Sequence, residues 1–213
     1  MSCCNLAFSA DRIICVTDTL VYNLKGDPLR LCDTKARVSD NRGFAVTYRG
    51  IEMVGEPIVQ ALAVHDDVIH AVEGTRTMLE GLPLDDAPVF IASRGIEFTI
   101  FGKNRDGGLA VARVVREPGE PVCTTWLAPS VHLMPAPPAA VKLPAEADVD
   151  RLVKLSLAQW KAKAHYANWG CIGGQMTLTT ATAAGVAQTV IGTYPDYAEL
   201  SARFGRVERR HAA

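Results

Sequence analysis

Residues 1–19 read MSCCNLAFSADRIICVTDT, and the two apolar runs inside them decide how the chain begins. Leu6 to Phe8 and Ile13 to Val16 are bulky or β-branched, and Ser9-Ala10-Asp11-Arg12 between them is short and polar enough to reverse the chain. The pattern predicts a hairpin that starts at the N-terminus. Terminal residues are ordinarily loose unless a strand ties them down, so a strand here would hold the first residues in place. Ser2 is small enough that removal of Met1 in the cytosol is expected, leaving a free α-amine beside a hydroxyl. Such a pair can act as base and nucleophile.

Beyond the hairpin, Lys25-Gly26-Asp27-Pro28 and Ser39-Asp40-Asn41-Arg42-Gly43 are turn signals around a mixed stretch, Leu29 to Val38. Phe44 to Tyr48 reads as a strand closed by Arg49-Gly50. From Pro57 the spacing becomes helical: Ile58, Leu62 and Val64, then Val68, Ile69, Val72, Thr75, Met78 and Leu79 predict two helices or one long broken helix. A second meander follows, with strands expected over Val89–Ala92, Ile96–Phe101 and Leu109–Val115 and one more within Val122–Val131. The stretch MPAPPAAVKLPAEAD is too rich in Pro and Ala to hold a regular element and reads as a surface connection. Val149, Leu152, Val153, Leu157 and Trp160 share one face of a helix that Asp148 can cap. Gln175–Thr182 and Val186–Ile191 predict a closing hairpin, and the tail from Tyr197 a short basic helix.

A chain of 213 residues suits a single domain spanning 1–213, able to bury roughly 70% of the surface it exposes unfolded. With 48% apolar and 21% charged residues and a net charge of -1, nothing electrostatic favours nucleic acid or acidic lipid as a partner. A signal segment and a bilayer-length apolar run are both missing from the sequence, so the expected location is the cytoplasm. The six cysteines show no CxxC spacing and are expected as free thiols. Strand alternation points Cys3 and Cys4 to opposite faces, which makes shared metal ligation awkward. The five histidines lack metal-ligand spacing, and GxSxG and phosphate-binding glycine motifs are absent from the sequence.

The order strands, helices, strands, helix, strands is α+β. With the N-terminal hairpin it resembles the N-terminal nucleophile hydrolases, specifically the proteasome β-subunits and their bacterial relatives. If Ser2 is laid on that family's nucleophile, the acid closing the second strand falls on Asp18 within VTDT, which resembles the family's AADT. The catalytic lysine falls on Lys35 in DTKARVSDN, one residue later than usual, and the oxyanion-hole glycine on Gly50 after FAVTYR. Through IGGQMTLTTAT the likeness runs to about residue 192. It departs at Asn168, Trp169 and Cys171, where the family has a supporting Asp and Ser, and at TTWLAPS, where Ser130 replaces a serine-rich turn.

The resemblance implies a four-layer αββα sandwich of two mainly antiparallel sheets. It also implies a serine- or threonine-type endopeptidase acting on peptides or unfolded proteins, without a cofactor, assembled into a homo-oligomeric ring. An ATPase partner is left open. In that chemistry Ser2 Oγ attacks a carbonyl, its α-amine takes the proton, Lys35 supplies positive charge, Asp18 fixes Lys35, and the Gly50 N–H stabilises the oxyanion. Two other functions stay open: an inactive assembly or scaffold protein of the same fold, and an amidase of small molecules.

Overall fold

The structure is a computed structural model that describes residues 3–23, 26–82, 95–134, 148–162 and 172–205. The expected hairpin is present: β1 (Cys4–Phe8) pairs antiparallel with β2 (Arg12–Thr17), with Leu6 opposite Cys15. Both faces of β2 are covered. Ile13 and Cys15 point one way, into a cluster with Ala45, Phe101 and Val111, while Ile14 and Val16 point the other, toward Leu152, Leu155 and Tyr194. A strand buried on both sides needs an unbroken apolar run rather than an alternating one, which is why RIICVT carries no period of two.

Three further strands complete the first sheet. Its order is β10 (Val131–Met134), β1, β2, β11 (Gln175–Thr182), β12 (Gly185–Thr193). The second five-stranded sheet runs β5 (Ala36–Val38), β6 (Phe44–Arg49), β7 (Ile96–Lys103), β8 (Leu109–Arg116), β9 (Cys123–Trp126). Between them in sequence, β3 (Leu20–Tyr22) and β4 (Pro28–Leu31) form a two-stranded sheet of their own. Every described pairing is antiparallel.

Helices α1 (Glu52–Leu62) and α2 (Val68–Glu80) bury Ile58, Val59, Leu62, Val72 and Leu79 against Phe44, Val46, Phe98 and Ile100 of the second sheet. The start of α1 precedes the expected Pro57 by five residues. Pro57 is tolerated because it lies on the exposed side, where the carbonyl its ring leaves unpaired can meet water. Asp67 caps α2 by accepting the His70 N–H at 2.9 Å. On the first sheet lies α3 (Val149–Ala162), capped as expected by Asp148, which accepts the Arg151 N–H at 2.8 Å. Helix α4 (Tyr197–Phe204) packs Leu200 on Leu20 and Leu31 of the small sheet.

The expectation of a four-layer αββα sandwich with two sheets is corrected by this arrangement. The described residues form three sheets and four helices in a mainly antiparallel β architecture. Helical cover is uneven, with two helices on the second sheet, one on the first and one on the small sheet. The sequence treated Leu29–Val38 as one mixed stretch. In fact Leu31 turns toward Leu20 while Ala36 starts an edge strand of another sheet, a division made by tertiary partners. The single strand expected within Val122–Val131 is likewise two short strands in different sheets, β9 and β10. The expected strand Val89–Ala92 and most of the Pro- and Ala-rich connection lie outside the described residues.

Candidate active site

Asp18 is the first residue past β2, and it is fully buried. Its Oδ1 accepts the Cys3 N–H at 2.8 Å. Its Oδ2 accepts from Lys35 Nζ at 2.8 Å, the Leu20 N–H at 3.2 Å and the Gly173 N–H at 3.4 Å. A charge removed from water needs such a set of donors, and here one of them is an ammonium whose side chain is itself only 11% exposed. Lys35 Nζ also lies 5.9 Å from the centre of the Tyr22 ring. The chain start, the end of β2, the residue before β5 and the residues before β11 therefore converge on one carboxylate.

Lys35 and Gly50 line the same cleft, with a volume of about 680 Å³. One wall is the β3–β4 hairpin, including Tyr22 and Leu31; the other is the end of β6 and the start of α1, including Tyr48 and Ile51. Gly50 has φ +142°, and a Cβ there would stand 2.9 Å from Ile96 Cγ1, so both backbone and space demand glycine. Gly55 is required by contact alone, because a Cβ would fall 2.3 Å from the Tyr48 ring that α1 presses upon. Ion pairs join Arg37 to Glu56 and Arg30 to Glu52 along the wall of α1.

Behind Cys3 a buried polar cluster ties β1 to α3. Asn5 donates through Nδ2 to Gln159 Oε1 at 2.7 Å and Ser156 Oγ at 2.8 Å, and Gln159 Nε2 donates back to Asn5 Oδ1 at 3.1 Å. Both amides are fully buried. This shifts the buried face of α3 away from the purely apolar stripe: Ser156 and Gln159 are at its centre, while Val149, Val153, Leu157 and Trp160 are partly buried around it. A polar residue inside the apolar run of β1 and two polar residues three apart on a helix were the signal available in the sequence.

Cys3 is not a competing nucleophile. Burial, with the neighbouring Asp18 charge second, pushes its thiol up to about 12, and its Sγ lies within the same cluster, 3.6 Å from Ser156 Oγ. Cys32, beside the cleft, is raised to about 11 by burial, opposed in part by Lys35. Burial also raises the Tyr48 and Tyr194 phenols. As strand alternation required, Cys3 faces α3 and Cys4 faces the other sheet.

Of the residues singled out in the sequence, Asp18 and Lys35 are in direct contact and Gly50 lines the same cleft as Lys35. Ser2, Asn168, Trp169 and Cys171 lie outside the described residues. Ser130 is not brought to the cleft: its carbonyl accepts the Phe8 N–H at 2.9 Å, at the opposite end of β1 from Cys3, and its hydroxyl meets His132 Nε2 at 2.9 Å. No helix among the described residues is long and apolar enough to cross a membrane. The chain matches no protein-family model and no curated protein.

Proposed function

We propose that this chain is an N-terminal-nucleophile hydrolase that cleaves peptide bonds through Ser2. The observation that carries the reading is the shared carboxylate of Asp18, which holds the cleft-lining Lys35 by its Nζ at 2.8 Å and the Cys3 N–H at 2.8 Å. Ser2 precedes Cys3 in the sequence, so the carboxylate that meets the lysine also holds the residue next to the proposed nucleophile. A break in the chain immediately before Ser2, however it arises, supplies the α-amine.

In this reading the amine accepts the Ser2 Oγ proton as Oγ bonds to the substrate carbonyl carbon. Lys35 adds positive charge that favours the neutral amine. The oxyanion is met by the Gly50 N–H, a contribution of roughly 3 kcal/mol by analogy with other oxyanion donors. Collapse expels the leaving amine, which takes the proton from the α-amine, and water then hydrolyses the Ser2 ester and restores the hydroxyl. As the resemblance to proteasome β-subunits implies, the protein works as a homo-oligomeric ring in the cytoplasm.

Intact mass and N-terminal sequencing, followed by peptide hydrolysis with wild type and Ser2→Ala, test the reading. The expected outcome is a chain beginning at Ser2 whose activity the substitution abolishes. Activity that survives Ser2→Ala would sink it. Sedimentation of the same material tests the ring.

A further inference from the structure

Gln188 sits in β12, opposite Thr179 of β11, on the outermost strand of the first sheet. Its carboxamide reaches across to the second sheet, where β5 is also an edge strand, three residues long and paired, among the described residues, with β6 alone. Gln188 Nε2 lies 2.9 Å from the Ala36 carbonyl oxygen, 2.9 Å from Thr34 Oγ1 and 2.9 Å from Thr179 Oγ1. A carbonyl can only accept, so chemistry alone orients the amide with its NH2 toward β5. Thr34 Oγ1 in turn accepts the Ala36 N–H at 3.1 Å, closing a small loop around the residue between them. That residue is Lys35. One side chain from a distant strand therefore grips both neighbours of the lysine that pairs with Asp18.

A three-residue edge strand with a ladder on one side only is the kind of segment that frays first. Lys35 stands just before it, and its ammonium must meet a fixed, fully buried carboxylate. We propose that Gln188, acting through Thr34 and Ala36, is the positioning residue for Lys35. This rests on the hydrolase reading for its catalytic consequence, but the positioning itself is measurable without activity.

The test compares Gln188→Met, which keeps the length and removes the donors, with Thr34→Val, which removes the hydroxyl from the other side. Thr189→Ala, at an exposed neighbour on the same strand, is the control. Reductive methylation read by mass spectrometry reports how well each lysine is protected. Lys35 is expected to label severalfold faster in both variants, with Lys103, Lys154 and Lys161 unchanged and thermal stability close to wild type. In the active protein, kcat should fall roughly tenfold to a hundredfold with little change in KM. The acid limb of the rate profile should move to higher pH, because a displaced ammonium no longer favours the neutral α-amine. Unaltered Lys35 labelling in both variants would overturn the assignment, as would labelling that rises at every lysine together with a lower Tm. Failure of the hydrolase reading is separately visible, as activity in Ser2→Ala, and leaves the labelling result decisive for Gln188.

Discussion

Replacing Asp18 with Asn tests the centre of the site, because the change keeps shape and removes only charge and acceptor capacity. The two carboxylate oxygens face different surroundings. Oδ1 meets one donor, the Cys3 N–H, while Oδ2 meets three: Lys35 Nζ and the Leu20 and Gly173 N–H groups. The new NH2 must oppose donors on one side or the other, and it does least harm in the Oδ1 position. The cost therefore falls on the anchor of the chain start. In addition, Lys35 loses its counter-charge. Removing one partner of a buried ion pair costs about 3–5 kcal/mol. The Lys35 side chain is 11% exposed and can partly reach water, so the lower end, about 3 kcal/mol, is expected. For a chain of this length that corresponds to a fall in Tm of about 6–12 °C, read by calorimetry or circular dichroism. Lys35→Met leaves the buried carboxylate with backbone donors only, and the double variant Asp18→Asn/Lys35→Met removes both charges. The double variant should thus lose less than the sum of the singles, by about 1–3 kcal/mol. Added salt should change these differences little, since the pair is enclosed. A Tm within about 2 °C of wild type for Asp18→Asn, or additivity within about 0.5 kcal/mol, would refute the reasoning.

Gly50→Ala places a Cβ 2.9 Å from Ile96 Cγ1 on a backbone at φ +142°, and should cost about 1–3 kcal/mol in urea denaturation while sharply lowering any hydrolysis. Gln159→Leu removes both partners that Gln159 gives Asn5 and leaves a buried amide short of hydrogen bonds, so a loss of about 1–3 kcal/mol is expected in the same assay, with Asn5→Leu/Gln159→Leu recovering part of it. Stability should decline at alkaline pH. The Cys3 and Cys32 thiols are raised from 9.0 to about 12 and about 11, so above pH 9 the unfolded chain loses protons that the folded chain keeps. Unfolding free energy then falls by roughly 1 kcal/mol per pH unit for each thiol between pH 9 and the folded value. Cys3→Ser and Cys32→Ser should each flatten that slope, and a slope unchanged by either would contradict the assignment.

Much of the secondary structure was legible because it depends on local pattern. Strands β1, β2, β6, β7, β8, β11 and β12 and the capped start of α3 follow from apolar runs bounded by turn residues. Strands β3 and β4 were not legible, since LVY and PLRL are too short and mixed to carry a period, and they are stabilised by each other and by Leu200 of α4. That pair is one wall of the cleft, so the site's shape was hidden although three of its residues were not.

The sequence by itself determined which residues could do chemistry and in what order they come: a hydroxyl at Ser2, an acid at the end of a strand, a lysine after a turn and a glycine after another strand. Only the tertiary structure decided that Asp18 and Lys35 touch, because the contact depends on where β5 lies relative to β2, and those strands belong to different sheets. It alone decided the partners of Asn5 and Gln188 as well. The buried Asn5 amide is stable only where another chain segment offers a matching donor and acceptor, the exposed Gln188 amide bonds wherever its strand meets acceptors, and for both the segments are more than 150 residues away, at Gln159 and at Thr34 and Ala36.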